Sequence, residues 1–145
     1  MSDRHPRAQA CELCAQAGGD VLWHDAKCRV VLVADPEYPG FCRVIWNTHV
    51  KEMTDLSAAD QAHCMRVVLA VERAVRNVLA PHKINLAAFG NMTPHLHWHV
   101  IPRKSDDAHF PNPVWGERQR PPGGLDEAAR EQTRDALAAE LATLL

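Results

Sequence analysis

Short runs of apolar and β-branched residues, separated by polar turns, predict five β-strands. They cover residues 21–23, 29–33, 41–46, 84–89 and 95–103. Residues that favour turns bound the runs, such as the Asp-Pro and Pro-Gly pairs between the second and third. Five short strands are enough to form one sheet.

The apolar period changes to that of a helix between Ser57 and Pro81. Ser57 is a favourable N-cap, and Pro81 marks the end of the helix. We therefore predict one long helix over residues 58–79 and a second, C-terminal helix over residues 126–145. Together with the strands, these helices predict an α+β fold with an antiparallel sheet of about five strands.

A length of 145 residues fits one domain, and we predict a single domain over residues 1–145. Residues 1–10 are polar and are expected to be loose. Residues 104–125 are rich in proline and are expected to cross the surface as an irregular segment. Trp115 lies in this segment, where it either anchors the segment to the body or borders a pocket or a partner chain.

Composition and charge exclude two classes of partner. Apolar residues make up 46% and charged residues 23% of the chain, and the formal net charge is −2. This balance predicts no nucleic-acid partner and no membrane partner. The apolar runs are too short to span a bilayer, and the polar N-terminus has no secretory h-region. Since the five cysteines are odd in number and nothing indicates export, we expect a cytoplasmic protein.

The clearest chemical signal is the stretch His-Leu-His-Trp-His-Val-Ile-Pro-Arg at residues 95–103. Histidines occupy positions 95, 97 and 99, and apolar residues fill the positions between them. Because successive side chains of a strand point to opposite faces, the imidazoles should form one row, with neighbours roughly 7 Å apart. Arg103, which closes the strand, could neutralise a phosphate, but an arginine at the end of a strand is commonly solvated, so we expect it to be solvated and leave it out of the catalytic set.

Imidazole has the side-chain pKa nearest to neutral pH. A row of three could therefore supply a nucleophile, a proton donor and a hydrogen-bond donor for phosphate. Two other interpretations stay open on the residues alone: the histidines could line a solvated strand face, or at least one of them could bind a metal ion.

Cys11 and Cys14 form a second candidate site. Two thiolates separated by two residues make half of a tetrahedral zinc site. Simple buried or exposed thiols are the alternative. A redox role is less favoured, because the pair lies near the N-terminus and does not open a helix after a core strand.

Residues 95–101 are similar to the motif His-φ-His-φ-His-φ-φ, where φ is apolar, at every position. The chain resembles the histidine triad (HIT) family, and within it the small bacterial hydrolases of the diadenosine-polyphosphate type. The resemblance extends over roughly residues 11–104. It includes the Cys-x-x-Cys pair, residues 35–49 and the helix before the motif.

The resemblance implies roles for all three histidines. His97, the middle one, would be the nucleophile that attacks the α-phosphorus of a nucleotide and forms a covalent nucleotidyl-histidine. One nitrogen of this ring must then be exposed and the other hydrogen-bonded, and we expect a backbone carbonyl as its partner. His99 would donate to the phosphate or the leaving oxygen. His95 would orient the site or bind a metal.

The resemblance also implies four nucleotide-binding residues. Gly90 and Asn91 would contact the phosphate region, and Asn85 would lie near the ribose and phosphate. Asp35 would accept hydrogen bonds from the ribose hydroxyls. On local grounds, however, Asp35 is equally well explained as the opening residue of an Asp-Pro turn.

The resemblance further implies a structural zinc site made by Cys11, Cys14, His49 and His95, although the chemistry itself would require no cofactor. It implies a homodimer whose two sheets join. The implied activity is hydrolysis of a nucleotidyl bond in dinucleoside polyphosphates or nucleoside phosphoramidates. The alternatives are a non-catalytic nucleotide-binding or zinc-stabilised interaction module, and a metal enzyme that uses the histidine row as ligands.

Overall fold

A computed structural model of the chain describes residues 10–121, 123 and 126–145. The predicted loose terminus, apart from residue 10, lies outside the described residues, as do residues 122, 124 and 125 of the proline-rich segment. In chain order the elements are α1 (Glu12–Ala15), β1 (Asp20–His24), β2 (Cys28–Leu32), β3 (Cys42–Trp46), a 3₁₀ turn (Met53–Asp55), α2 (Ala58–Leu79), β4 (Lys83–Ala87), β5 (His97–Arg103) and α3 (Glu127–Leu144).

The five strands form one sheet in the order β1-β2-β3-β5-β4. Every neighbouring pair is antiparallel. The predicted α+β fold with a five-stranded antiparallel sheet is therefore confirmed. Strand β5 inserts between β3 and β4, so both of its edges are hydrogen-bonded, and the side chains of the triad strand are held on a rigid support.

Helix α2 has the predicted bounds and covers one face of the sheet. The Oγ of its N-cap, Ser57, accepts a hydrogen bond from the backbone N–H of Asp60 at 3.1 Å. The helix ends before Ala80, which takes a left-handed conformation with φ 46°. The main core forms between this helix and the sheet, and it includes Val67, Val68, Val71, Ala74 and Val75 of α2 and Cys28, Val30, Val44, Trp46 and Val100 of the strands.

Helix α3 completes the main core. The carboxylate of its N-cap, Asp126, accepts a hydrogen bond from the N–H of Ala129 at 2.8 Å, close to where the helix was predicted to begin. Leu137 and Leu141 are fully buried against the body. Burial of one such side chain stabilises the fold by about 1.5–3 kcal/mol.

The opposite face of the sheet carries the histidines. Because side chains alternate along a strand, Val44 and Trp46 of β3 enter the main core, whereas Ile45 joins a smaller cluster with Cys11, Leu13 and Val31. His97 lies opposite Ile45 in the β3–β5 pair. The triad strand therefore separates an apolar core on one side from a polar site on the other.

The predicted strand bounds hold within two residues, and the largest differences are the end of β4, at Ala87 and not at residue 89, and the start of the triad strand. A strand starting at His95 was predicted, but β5 begins at His97. The N–H of His95 donates to the carbonyl of Thr93 at 2.8 Å, in a turn that contains Pro94. Proline offers no N–H to a strand ladder, so regular pairing begins only after it. Helix α1 and the 3₁₀ turn were not predicted, because one turn is too short to show a period.

Residues 104–121 contain turns but neither helix nor strand. Arg103 anchors this segment, so its predicted solvation is wrong: the side chain is 3% exposed. Its guanidinium donates to both carboxylate oxygens of Asp107, at 2.8 and 3.0 Å, and to the Asn112 carbonyl at 2.7 Å. Asp107 is buried too, which leaves an ion pair almost out of reach of water. Within the described ranges, no helix is long and apolar enough to cross a lipid bilayer.

Candidate active site

His97 and His99 line a cavity of about 460 Å³. The loop after β4 forms one wall of this cavity, and α1 and the proline-rich segment each contribute a side chain. The described residues that line it are Glu12, Arg43, Phe89, Gly90, Asn91, Met92, Thr93, His97, His99 and Trp115. We call it the triad cavity. Its volume lies within the range of small-molecule sites.

The orientation of His97 follows from one backbone contact. Its Nδ1 lies 2.6 Å from the carbonyl oxygen of His95. Because a carbonyl oxygen only accepts, Nδ1 must carry the proton, and Nε2 is left with a free lone pair. Burial lowers the pKa of His97, and the positive charge of Arg43 lowers it further, against the opposing effect of that hydrogen bond. The ring is therefore neutral at pH 7, as a nucleophile requires, and the expected backbone carbonyl partner is present.

His99 lies beside His97, with ring centroids 4.9 Å apart and planes inclined at 79°. Burial, with the nearby His97 and Arg43 charges, lowers the pKa of His99 to about 4. Its Nδ1 is buried without a hydrogen-bond partner among the described residues. A buried nitrogen without a partner costs free energy.

His95 does not line the triad cavity. Its ring is fully buried in a separate cluster with Cys11, Cys14 and His49. The Nδ1 of His95 lies 3.4 Å from each of the two Sγ atoms and 3.2 Å from Nδ1 of His49. The Sγ of Cys14 lies 3.3 Å from that same nitrogen of His49. The structure thus brings together all four residues of the predicted metal site.

The donors of this cluster suit a tetrahedral metal ion. All four ligand atoms lie within 4.8 Å of one another. The Nε2 of His95 lies 2.5 Å from the carbonyl of Trp46, so it carries the proton and Nδ1 presents its lone pair to the cluster. Two sulfur and two nitrogen donors at these separations are typical of structural zinc, and an ion here would hold α1 against the sheet.

Two of the four predicted nucleotide-binding residues line the triad cavity, and the other two lie elsewhere, apart from each other. Gly90 and Asn91 line the triad cavity, and Gly90 has a positive φ of 71° that favours glycine. Asn85 lies elsewhere, where its Oδ1 accepts a hydrogen bond from Arg103 at 2.9 Å. Asp35 accepts from the N–H of Glu37 at 3.0 Å, which is the local turn considered above, and it borders a different depression.

Sequence reasoning missed Arg43 and Glu12 as lining residues. Arg43 interrupts an otherwise apolar strand, and it lies directly opposite His99 in the β3–β5 pair. A single arginine within an otherwise apolar, mostly buried strand is a signal that could have identified it. Glu12 lies between the two cysteines, and only the folding of α1 over the sheet brings it to the cavity.

Trp115 borders the triad cavity, which resolves the two alternatives for this residue. Its ring lies 4.9 Å from that of His99 and 5.0 Å from that of Phe89, in edge-to-face contacts. Phe89 and Trp115 are both more than half exposed. The rim of the cavity therefore offers apolar rings on which a flat group can stack.

Comparisons with known proteins bear on this site. A sequence model of the HIT domain matches residues 15–106. The AP-4-A phosphorylase of Mycobacterium tuberculosis is 33% identical over 97 residues, which are 63% of this chain and 50% of that protein. The bis(5'-nucleosyl)-tetraphosphatase (asymmetrical) of Schizosaccharomyces pombe is 25% identical over 113 residues, or 74% of this chain and 62% of that protein. The chain thus spans about half to three fifths of the length of these relatives.

Solved structures show the same fold. A histidine triad protein from Bradyrhizobium japonicum superimposes with a TM-score of 0.74 at 30% identity, covering 84% of this chain and 91% of that one. A Zn-bound histidine triad family protein from Mycobacterium smegmatis has a TM-score of 0.67 at 26% identity, covering 94% of this chain and 96% of that one.

Proposed function

Because the chain belongs to the HIT domain family, we propose that it is an enzyme that cleaves nucleotidyl bonds through a covalent intermediate on His97. One observation carries this proposal. The carbonyl of His95 binds Nδ1 of a buried, neutral His97, which leaves Nε2 as a nucleophile in a cavity of nucleotide-binding size.

The reaction would proceed in two displacements. In the first, the Nε2 lone pair of His97 bonds to the α-phosphorus, and the bond to the leaving group breaks with its electron pair. That pair stays on the phosphate oxygen of a polyphosphate or, in a phosphoramidate, on a nitrogen that takes a proton from solvent. The His95 carbonyl would stabilise the positive ring that results, and an N–H of His99 would donate to the leaving group, as the family resemblance implies. In the second, a water oxygen bonds to phosphorus, the P–N bond returns its electrons to His97, and a proton passes to solvent.

We propose dinucleoside polyphosphates, or nucleoside phosphoramidates, as the substrate class. The names of the two relatives, a phosphorylase of AP-4-A and a tetraphosphatase, support the first class. Gly90 and Asn91 are the proposed phosphate contacts, whereas the predicted nucleotide contacts of Asp35 and Asn85 stay predictions. The single domain, the homodimer and the cytoplasmic location also stay predictions.

Product analysis tests the activity. Incubated with diadenosine tetraphosphate in water, the protein should release AMP and ATP, since water attacks the adenylyl-histidine. If inorganic phosphate is the second nucleophile instead, ADP and ATP should appear in a phosphate-dependent manner. Ion-exchange chromatography separates these products. Adenosine phosphoramidate, which should yield AMP and ammonia, is the parallel substrate.

The alternative is a module that binds nucleotides without turnover. If micromolar protein consumes neither substrate over hours while AMP still binds, the protein is a nucleotide-binding module and not an enzyme. A metal enzyme that uses His97 and His99 as ligands would instead lose turnover in chelator while it remains folded.

We further propose that Cys11, Cys14, His49 and His95 hold structural zinc. The closeness of their four donor atoms and the existence of a Zn-bound structural neighbour support this. Purified protein should contain about one zinc per chain. Stripped protein should regain about 2.7 kcal/mol of stability at a free zinc concentration 100 times Kd.

Cys14→Ser should abolish metal uptake, measured by elemental analysis and by the thiolate absorption of added Co²⁺. Cys64→Ala, in the main core, is the matched control: it should lower stability but keep the metal. Wild-type protein that takes up neither ion would contradict the zinc proposal.

A further inference from the structure

We propose that Arg43 binds the non-bridging oxygens of the phosphoryl group that His97 attacks. The proposal rests on the proposed function and deepens it, because it names the residue that recognises the phosphate. It follows from the position of Arg43, from its lack of a salt bridge to any described residue and from the other residues of the triad cavity.

The position of Arg43 is set by strand pairing. It lies on β3 directly opposite His99 of β5, on the face of the sheet that carries the histidines. Side chains opposite each other in an antiparallel pair have Cβ atoms about 5 Å apart. Both strands are internal to the sheet, so a fixed backbone presents the guanidinium to the cavity that His97 and His99 line.

The guanidinium of Arg43 forms no salt bridge within the described part of the chain, although the carboxylate of Glu12 lines the same cavity. The Nε atom of Arg43 is buried and makes no hydrogen bond with the described residues. The guanidinium as a whole forms no salt bridge with them. Burial lowers the pKa of Arg43, although the charge of Glu12 opposes this. An arginine nevertheless stays protonated. A partly desolvated cation without a partner is costly, and an anion in the cavity would relieve that cost.

Phosphate is the anion that the surroundings favour. Arg43 is the only lysine or arginine among the described residues that line the cavity. Because a guanidinium keeps its proton in a protein, Arg43 provides a permanent positive charge in the cavity, beside the carboxylate of Glu12. Its planar fork of N–H donors matches two phosphate oxygens. As charge shifts onto these oxygens during attack, the interaction strengthens, which is where stabilisation accelerates a reaction.

The first test compares the affinities for AMP and adenosine by calorimetry. We expect wild type to bind AMP more tightly than adenosine. Arg43→Gln should reduce the ratio of the AMP affinity to the adenosine affinity by about 10- to 100-fold. The affinity for adenosine should change by less than about twofold. Arg43→Lys keeps the positive charge but loses the planar fork of N–H donors. Its ratio of AMP to adenosine affinity should lie between those of wild type and Arg43→Gln. Arg73→Gln, on the exposed face of α2, is the matched control and should behave as wild type.

The second test measures turnover of diadenosine tetraphosphate. Arg43→Ala should lower kcat by about 10²–10³-fold, with a smaller change in KM. Added guanidinium should restore part of the lost rate, an effect that loss of a purely structural residue would not show. If Arg43→Gln and Arg43→Lys keep the wild-type ratio of AMP to adenosine affinity, the proposal is overturned.

The two proposals fail separately. If wild type turns over no nucleotide, the enzymatic function is wrong, and the affinity ratio still decides whether Arg43 binds phosphate. If wild type is active and Arg43→Ala retains its kcat within twofold, the function stands and the role of Arg43 is wrong.

Discussion

Replacing His97 with alanine is expected to lower the rate of cleavage of diadenosine tetraphosphate by at least about 10⁴-fold. The reason is that no other side chain would supply the bond to phosphorus. The ring of His97 is buried to 9% exposure, and its Nδ1 is held by the His95 carbonyl at 2.6 Å. His99 lacks such a backbone anchor, because its Nδ1 has no partner in the described structure.

The intermediate itself can be observed. Wild-type protein mixed with substrate and quenched rapidly at alkaline pH, where phosphoramidates persist, should gain the mass of one adenylyl group on the peptide that contains His97. His97→Ala should gain none. His24→Asn serves as the control, because His24 is exposed on β1 and lies outside the cavity. An adduct that forms on the His97→Ala variant at the wild-type rate would exclude His97 as the nucleophile.

Replacing Asp107 with asparagine is expected to destabilise the protein by about 3–5 kcal/mol, the cost of leaving one partner of a buried ion pair alone. The side chains of Arg103 and Asp107, which form this pair, are 3% and 7% exposed, respectively. Besides Arg103, the carboxylate accepts hydrogen bonds from the backbone N–H groups of His109 and Phe110, at 3.0 and 2.8 Å, and from the hydroxyl of Tyr38. Asparagine would turn an amide donor toward this set of donors. Urea unfolding at pH 7 measures the loss.

The pH dependence distinguishes this charge effect from a packing effect. Burial alone would raise the pKa of Asp107, but the hydrogen bond from Arg103 and those from the backbone outweigh it, so the pKa lies well below its usual range. The stabilisation is therefore complete above the unfolded pKa of about 4 and is lost as the pH falls further.

The stability gap between wild type and Asp107→Asn should accordingly narrow between pH 5 and pH 2, the range over which such a contribution fades. Asp106→Asn, at an exposed neighbouring position, should stay within about 0.5 kcal/mol of wild type. A gap that is constant over this pH range would point to packing and not to the ion pair.

Local patterns in the chain predicted much of the fold. The long helix has the predicted bounds because its apolar stripe and its N-cap are encoded within neighbouring residues. The triad strand was recognisable because alternation is also local, and a strand places His97 and His99 on one face whatever surrounds them. The predicted metal ligands came from family resemblance, and tertiary structure then brought together residues up to 84 positions apart, such as Cys11 and His95.

Local patterns were least informative where a side chain could turn to more than one partner. Asn85 and Asp35 are predicted to contact the nucleotide, and in the structure Asn85 accepts a hydrogen bond from Arg103 and Asp35 opens a turn, so their roles toward a nucleotide stay predictions. Arg103 was expected in water, but the proline-rich segment folds back over it. Neither its burial nor the position of Trp115 over His99 could be inferred from neighbouring residues, since both depend on how distant segments pack.

The sequence by itself determined the elements, the sheet class and the face on which the histidines lie, because side-chain periodicity follows from backbone geometry. Only the tertiary structure decided that His95 joins the thiols while His97 and His99 line the triad cavity, and that Arg43 lines it with them and forms no salt bridge to a described residue. The physical reason is that burial, hydrogen-bond partners and electrostatic neighbours arise from contacts between residues far apart in the chain. These contacts, and not residue identity, set which nitrogen of His97 is free to react.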